Sequence, residues 1–420
     1  MFWIFVTTIC GINLAPLLFP QLDMWHAQGF WVQAGILLLF TGSFFQKGNK
    51  VVVGNKPLGA LHIWVGAQTL YFCFMSQVAS KYDTSHFFPY FNFVCLLLLY
   101  KFIVEYLNKE MIERILEYMR WLLIVTCFLC TLQYFGLSQF FDFIRKDHPS
   151  FFEQFNNLVT GFIGNGTHLS GFLATCVPIL FLKWRRENFL IIILIFLILT
   201  QAGTNKYDPS ASGFCVLILI SYFYLYFKNR KAFWWAGLVG FISVITLFCI
   251  FSETAWFGKF LRPTGRMLLW SYYLPLFKRF AITGTGLGTI NEVFKAIGSR
   301  GEALGLNARH LHLEYYHFAL ELGLIGLVLI LNLIKEFFNG ENEDTTLVLK
   351  TIVLGFLISC LFNFPAHLWL PSTYAMFAYA SVYAIKNEET LNEYKHIERN
   401  QRQRFKNNTA GRYPDWDDGK

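Results

Sequence analysis

The strongest constraint on this chain is a series of apolar stretches, each near the length of a membrane-crossing helix. A spanning helix takes about 20 mostly apolar residues. Twelve stretches qualify, at roughly 3–20, 29–46, 58–79, 87–107, 118–141, 168–184, 188–203, 209–227, 232–252, 312–335, 346–366 and 367–385. Composition agrees: 55% of residues are hydrophobic and only 15% are charged, where a soluble domain carries about 25% charged residues. The 47 Phe suit a surface facing lipid. The expected fold is all-α, a polytopic helical membrane protein with about 12 transmembrane helices.

Orientation follows from the basic residues between stretches. Lys47, Lys50 and Lys56 follow the second stretch, and Lys109, Arg114 and Arg120 flank the connection after the fourth. Lys183, Arg185 and Arg186 follow the sixth, and Lys228, Arg230 and Lys231 the eighth. These even-numbered exits are richer in basic residues than the odd ones, so they are read as cytoplasmic, with both termini inside. Residues 1–385 then form one transmembrane domain, and the polar tail 386–420 is read as cytoplasmic and weakly ordered. The first Lys is Lys47, so residues 3–20 read as an uncleaved first span.

Under this orientation, the segment 253–311 between the ninth and tenth stretches is exterior. It is 59 residues long and carries eight basic residues against three acidic ones. Short exterior loops disfavour Lys and Arg, and although long loops escape that rule, an excess of this size calls for an anionic ligand at the membrane surface. The chain's net charge of +8 is split among loops and tail, which does not suit nucleic-acid binding. The nine Cys all lie within apolar runs, so no disulfide framework is expected. Cys127-x-x-Cys130 falls inside a predicted span, where it reads as small apolar filler.

Three constellations in and after the exterior segment could carry chemistry. Arg262 and Arg266 lie four residues apart in R-P-T-G-R; guanidinium forks bind phosphate oxygens bidentately, but they also reach lipid headgroups as ordinary interfacial residues. The stretch LLWSYYLPLFKRF that follows reads as an interfacial amphipathic helix. Gly284 and Gly286, in G-T-G-L-G, allow backbone N–H groups close to an anion, or simply form a turn. In A-R-H-L-H-L-E-Y-Y-H-F-A-L-E-L-G-L-I-G, Arg309, His310 and His312 sit where the tenth span begins. His317 and Glu321 share a helix face there, as do Glu314 and Phe318. Histidine is the side chain best suited to take a proton near neutral pH. A zinc set of His310, His312 and Glu314 fits a starting helix poorly, and the only D-x-D is Asp415-Trp416-Asp417 in the tail, so a metal-independent reaction without cofactors is the expectation. Asn363 and His367, between the last two stretches, are polar groups placed to line a cavity.

In this order, the motifs resemble those of the O-antigen ligase and polymerase superfamily of bacterial membrane glycosyltransferases. Gly265-Arg266 with Trp270, then Gly284, Gly286 and Gly288, then His310-x-His312, then Glu321-x-Gly323-x-x-Gly326 match that family's core. The likeness covers about residues 160 to 385. Leu313 stands where the family has Asn, and Lys206 stands near the position of a family Arg. The resemblance implies a glycosyltransferase C-like fold in the inner membrane, with a glycan moved from a polyprenyl pyrophosphate carrier to an acceptor hydroxyl at the exterior face. The acceptor would be a lipid A core or another lipid-linked repeat. His312 and Arg266 would be catalytic, and Arg262, Arg279, Arg309, His310, Lys206, Gly284 and Gly286 would contact pyrophosphate or glycan. A transporter or flippase of an anionic or lipid-linked solute, and a protein O-oligosaccharyltransferase, are the competing readings.

Overall fold

The computed structural model describes residues 1–18, 24–45, 56–78, 87–135, 166–182, 186–200, 210–229, 265–290, 313–340, 343–362 and 365–410, with a few single residues between them. The fold is all-helical, with no strand among the described residues. In chain order the helices are α1 (Phe2–Gly11), α2 (Ala15–Leu18), α3 (Met24–Ser43), α4 (Lys56–Val78), α5 (Phe87–Tyr106), α6 (Lys109–Tyr134) and α7 (Gly166–Cys176). They continue with α8 (Ile179–Leu182), α9 (Arg186–Leu199), α10 (Ala211–Lys228), α11 (Gly265–Arg279), α12 (Glu314–Phe338), α13 (Asp344–Ser359) and α14 (Trp369–Ala410). Three of these contain a stretch long and apolar enough to cross a membrane: Pro89–Tyr106, Lys109–Tyr134 and Glu314–Phe338.

Each predicted stretch inside the described residues coincides with helix, while 232–252 lies largely outside them. Two stretches are split. The first breaks between α1 and α2, where the Asn13 side chain donates to the Tyr374 hydroxyl at 2.6 Å. The sixth breaks between α7 and α8 at Pro178, which has no amide to continue the ladder. Helix α6 starts at Lys109, earlier than residue 118. Asn108 caps it by accepting from the Met111 amide at 2.9 Å, and an exposed Glu110–Arg114 pair supports its first turns.

The tail departs from its expected weak order. α14 runs on past Lys386 to Ala410. Residues 372–410 contain no Gly or Pro, and i,i+4 contacts such as Arg402–Glu398 at 2.6 Å line the exposed part. Helix propensity therefore prevails over polarity.

The core lies where α14 packs along α5 and α13, and α13 in turn packs on α7 and α10. Small residues let α7, α10 and α13 approach closely. A Cβ on Gly213 would lie 2.8 Å from the Ser170 Cβ, and one on Gly355 would lie 3.1 Å from the Thr175 Cα. Tight small-residue contacts of this kind are how helices associate when lipid removes the hydrophobic driving force between them. Among the described side chains, seven cysteines, Cys127 and Cys130 included, are free, and all but Cys215 are buried.

Candidate functional site

Helix α12 is broken at Gly323, and the break organises the site. Gly323 has φ 68° and ψ −175°, a conformation open in practice only to glycine. Carbonyls that would have bonded along the helix are exposed by the break, and residues 281–286 meet them. The Thr285 amide donates to Leu320 O at 2.8 Å and the Gly286 amide to Glu321 O at 2.8 Å. Beyond the break, the Leu324 amide donates to Ala281 O at 2.7 Å. α4 adds two more donors: Trp64 Nε1 reaches Leu322 O at 3.0 Å, and Gln68 Nε2 reaches Glu321 O at 3.3 Å and also Thr283 O. Non-helical backbone at membrane depth is tolerated only when its polar groups are met in this way.

The glycine turn is therefore half of a joint. Gly284 and Gly286 both have positive φ, and a Cβ on Gly284 would sit 2.2 Å from Glu321 O. The Gly284 amide bonds Phe280 O at 2.7 Å and the Gly286 amide bonds Glu321 O. Both N–H groups are thus committed to backbone within the protein.

The start of α12 carries the polar cluster. The Glu314 amide bonds the last carbonyl region of α13 at Cys360 O, 2.9 Å away, and the Tyr315 hydroxyl donates to Leu357 O at 2.8 Å. Glu314, His317 and Glu321 follow at i, i+3 and i+7 and share one helix face. Opposite them is His367, in the short 3-10 turn Pro365–His367 that precedes α14. Ser372 holds that turn by donating to Pro365 O and Ala366 O, both at 3.0 Å.

Within the cluster, Glu314 Oε1 accepts from the Ala366 amide at 3.0 Å and meets His367 Nδ1 at 3.0 Å. His317 Nε2 lies 3.2 Å from Glu321 Oε1. The two imidazoles stand 4.4 Å apart between ring centres, at a 48° tilt. Glu314, His317 and Glu321 are almost fully buried, whereas a quarter of the His367 side chain is accessible.

Glu314, Glu321 and His367 of the cluster line a cavity of about 370 Å3. Its walls come from α4, α5, α12, α13 and α14, with Leu61, Phe93, Ile330, Phe356 and Met376 among the lining side chains. Glu314, Glu321 and His367 line it together with Tyr315, Cys360 and Tyr379, and no Lys or Arg is among the described residues lining it. An apolar slot ending in a few polar groups suits a ligand with a hydrocarbon body and a polar head.

The sequence-predicted residues fall in three groups. His312, Arg262, Arg309, His310, Lys206 and Asn363 lie outside the described residues. Arg266 is on the first turn of α11, with its side chain outside the described set; Arg279 is exposed on the last turn, its guanidinium 5.5 Å from the centre of the Phe280 ring. Gly284 and Gly286 lie in the α12 joint. Tyr316, one turn beyond His312, donates to Trp270 O at 3.2 Å and so ties α12 to α11. The i,i+4 spacing anticipated the His317–Glu321 contact, and the polar spacing between the last stretches anticipated His367 at a cavity. The Glu314–His367 contact had no local signal, because its partners are 53 residues apart.

No protein-family model and no curated protein matches this chain.

Proposed function

We propose that this chain is a polytopic membrane glycosyltransferase of the O-antigen ligase and polymerase type, moving a glycan from a polyprenyl pyrophosphate carrier to an acceptor hydroxyl. The observation that carries the reading is the largely apolar cavity lined by Glu314, Glu321 and His367, with His317 against Glu321 behind it. A polyprenyl tail needs a hydrocarbon slot between helices, with its headgroup emerging at a polar end. A second support is that two motifs of the resemblance, Gly284-x-Gly286 and Glu321-x-Gly323, dock on each other in the fold.

In this reading the twelve apolar segments span a bacterial inner membrane, both termini are cytoplasmic, and the start of α12 faces outward. The acceptor oxygen attacks the anomeric carbon and the bond from that carbon to the pyrophosphate oxygen breaks. The acceptor proton passes to His312. The leaving pyrophosphate takes the bonding electrons, and Arg266 stabilises its growing charge, with Arg262, Arg279, Arg309 or Lys206 as further contacts. The acceptor is a lipid A core for a ligase or a second lipid-linked repeat for a polymerase, and the spacing from His312 to Gly323 leans toward ligase.

A transporter is the second reading, since broken helices mark many transport sites. The break at Gly323 does not favour it. Its carbonyls and amides are taken up by residues 281–286, Trp64 and Gln68, so they are not presented to a solute. The test is turnover of Arg266→Ala and His312→Ala in nanodiscs with a polyprenyl-pyrophosphate oligosaccharide. Each substitution is expected to lower the rate about 100-fold or more. Full turnover in both would sink the assignment.

A further inference from the structure

Two buried carboxylates line the cavity with only imidazoles as side-chain partners among the described residues. Glu314 is 1% exposed and Glu321 is 0% exposed. Oε1 of each meets a histidine, while Oε2 of each is buried with no hydrogen-bond partner among the described residues. Both residues line the cavity. Isolated buried carboxylates are strongly disfavoured unless paired, hydrogen-bonded or bound to a metal.

Glu314-Tyr315-Tyr316-His317 is a Glu-x-x-His sequence on a helix. Spacing of i, i+3 turns both side chains to one face, and helical bundles use this arrangement to present a carboxylate and an imidazole to one metal ion. His367 supplies a second imidazole from another element. One donor atom from each of Glu314, His317 and His367 lies within 4.8 Å of the others. Around a tetrahedral Zn2+ with bonds of about 2.1 Å, donors sit about 3.4 Å apart. The pair Glu314 Oε1 and His367 Nδ1, at 3.0 Å, already stands near that spacing. Two imidazoles and a carboxylate form a donor set that suits divalent first-row metals. With neutral imidazoles the two carboxylates carry two negative charges, which one divalent cation balances.

We propose that Glu314, His317 and His367 bind a divalent first-row transition cation at the polar end of the cavity, with Glu321 holding the His317 ring in orientation. Metal-bound histidines commonly bond a carboxylate through the other ring nitrogen, and Glu321 stands at His317 Nε2 in that position. The cation bridges α12 to the turn before α14 and pins the polar end of the cavity. This site stands apart from the glycosyl-transfer reading: no step of that reaction runs through it, and its readout is binding rather than turnover.

The test uses the tag-free full chain in nanodiscs, loaded with Zn2+, freed of excess by gel filtration and assayed for metal by mass spectrometry. One Zn2+ per chain is expected. Glu314→Gln and His367→Gln should each weaken binding more than tenfold, and Glu321→Gln about tenfold. X-ray absorption on the wild-type protein provides a check that does not depend on how the variants fold; it should show a nitrogen and oxygen shell with two imidazoles. Failure to retain Zn2+, a sulfur-containing shell, or equal retention by folded Glu314→Gln and His367→Gln would each overturn the proposal.

Discussion

Arg120 and Glu314 are each 1% exposed, yet their surroundings differ in kind. The Arg120 guanidinium bonds Glu117 at 2.9 and 3.2 Å and Asn188 at 3.1 Å, and it stands 5.0 Å from the centre of the Trp121 ring. Asn188 passes the chain on to Leu180 O at 2.7 Å. This group clamps α6 to α8 and α9 and lines no described cavity. Glu314 and Glu321, by contrast, each leave a carboxylate oxygen unmet and face a cavity. A buried polar network with every donor engaged serves to fix helices. One with acceptors in reserve at the end of a slot is arranged for something that enters.

The sharpest way to break the comparison is at the clamp. Arg120→Ala leaves Asn188 and Glu117 without their main partner and should cost about 3 kcal/mol of stability, read by thermal unfolding in detergent. Turnover per folded molecule should not change. If Arg120→Ala instead abolished turnover in a stable protein, the clamp would be no mere clamp. At the other pole, Glu314→Gln keeps the side-chain shape and removes the charge. It should leave stability within about 1 kcal/mol but weaken Zn2+ retention more than tenfold. A variant that unfolds without a specific loss of metal would place Glu314 with Arg120.

The joint between these poles should respond to geometry rather than charge. A Cβ on Gly323 would lie 2.3 Å from Ile282 O at a φ of 68°, so Gly323→Ala should cost about 2 kcal/mol or more and loosen residues 281–286. Hydrogen exchange at the Thr285 and Gly286 amides would show the loosening. The smallest effect belongs to the exposed pair Arg402–Glu398, with side chains 77% and 60% accessible. Arg402→Ala should change stability by no more than about 0.5 kcal/mol.

Much of the helical order was legible because long apolar runs favour helix, and three of the described helices carry a stretch long and apolar enough to cross a membrane. Eight of the twelve predicted stretches meet a described helix within about five residues or divide at an interruption such as Asn13 or Pro178, the fifth and eleventh meet theirs with an end seven to nine residues away, the ninth lies largely outside the described residues, and the twelfth continues as α14. The tail departs from its expected weak order because an unbroken run of helix-forming residues and i,i+4 pairs carries α14 to Ala410. The site was legible in part. His317 and Glu321 share a helix face by spacing alone, and His367 stood out as a polar residue between apolar stretches. The Glu314–His367 contact and the docking of the glycine turn into Gly323 are tertiary, and no periodicity in either segment contains them. Helix spacing can propose a face but cannot say what stands opposite.

The measurement that bears most directly on the account is a turnover assay in nanodiscs, with polyprenyl-pyrophosphate oligosaccharide as donor, in the presence and absence of lipid A core. Released polyprenyl pyrophosphate and glycan products would be read by mass spectrometry. Release of the carrier is expected, with a single transfer to core for a ligase or a ladder of longer glycans for a polymerase. Intact donor with either acceptor, together with movement of a lipid-linked or anionic solute across the bilayer, would contradict it.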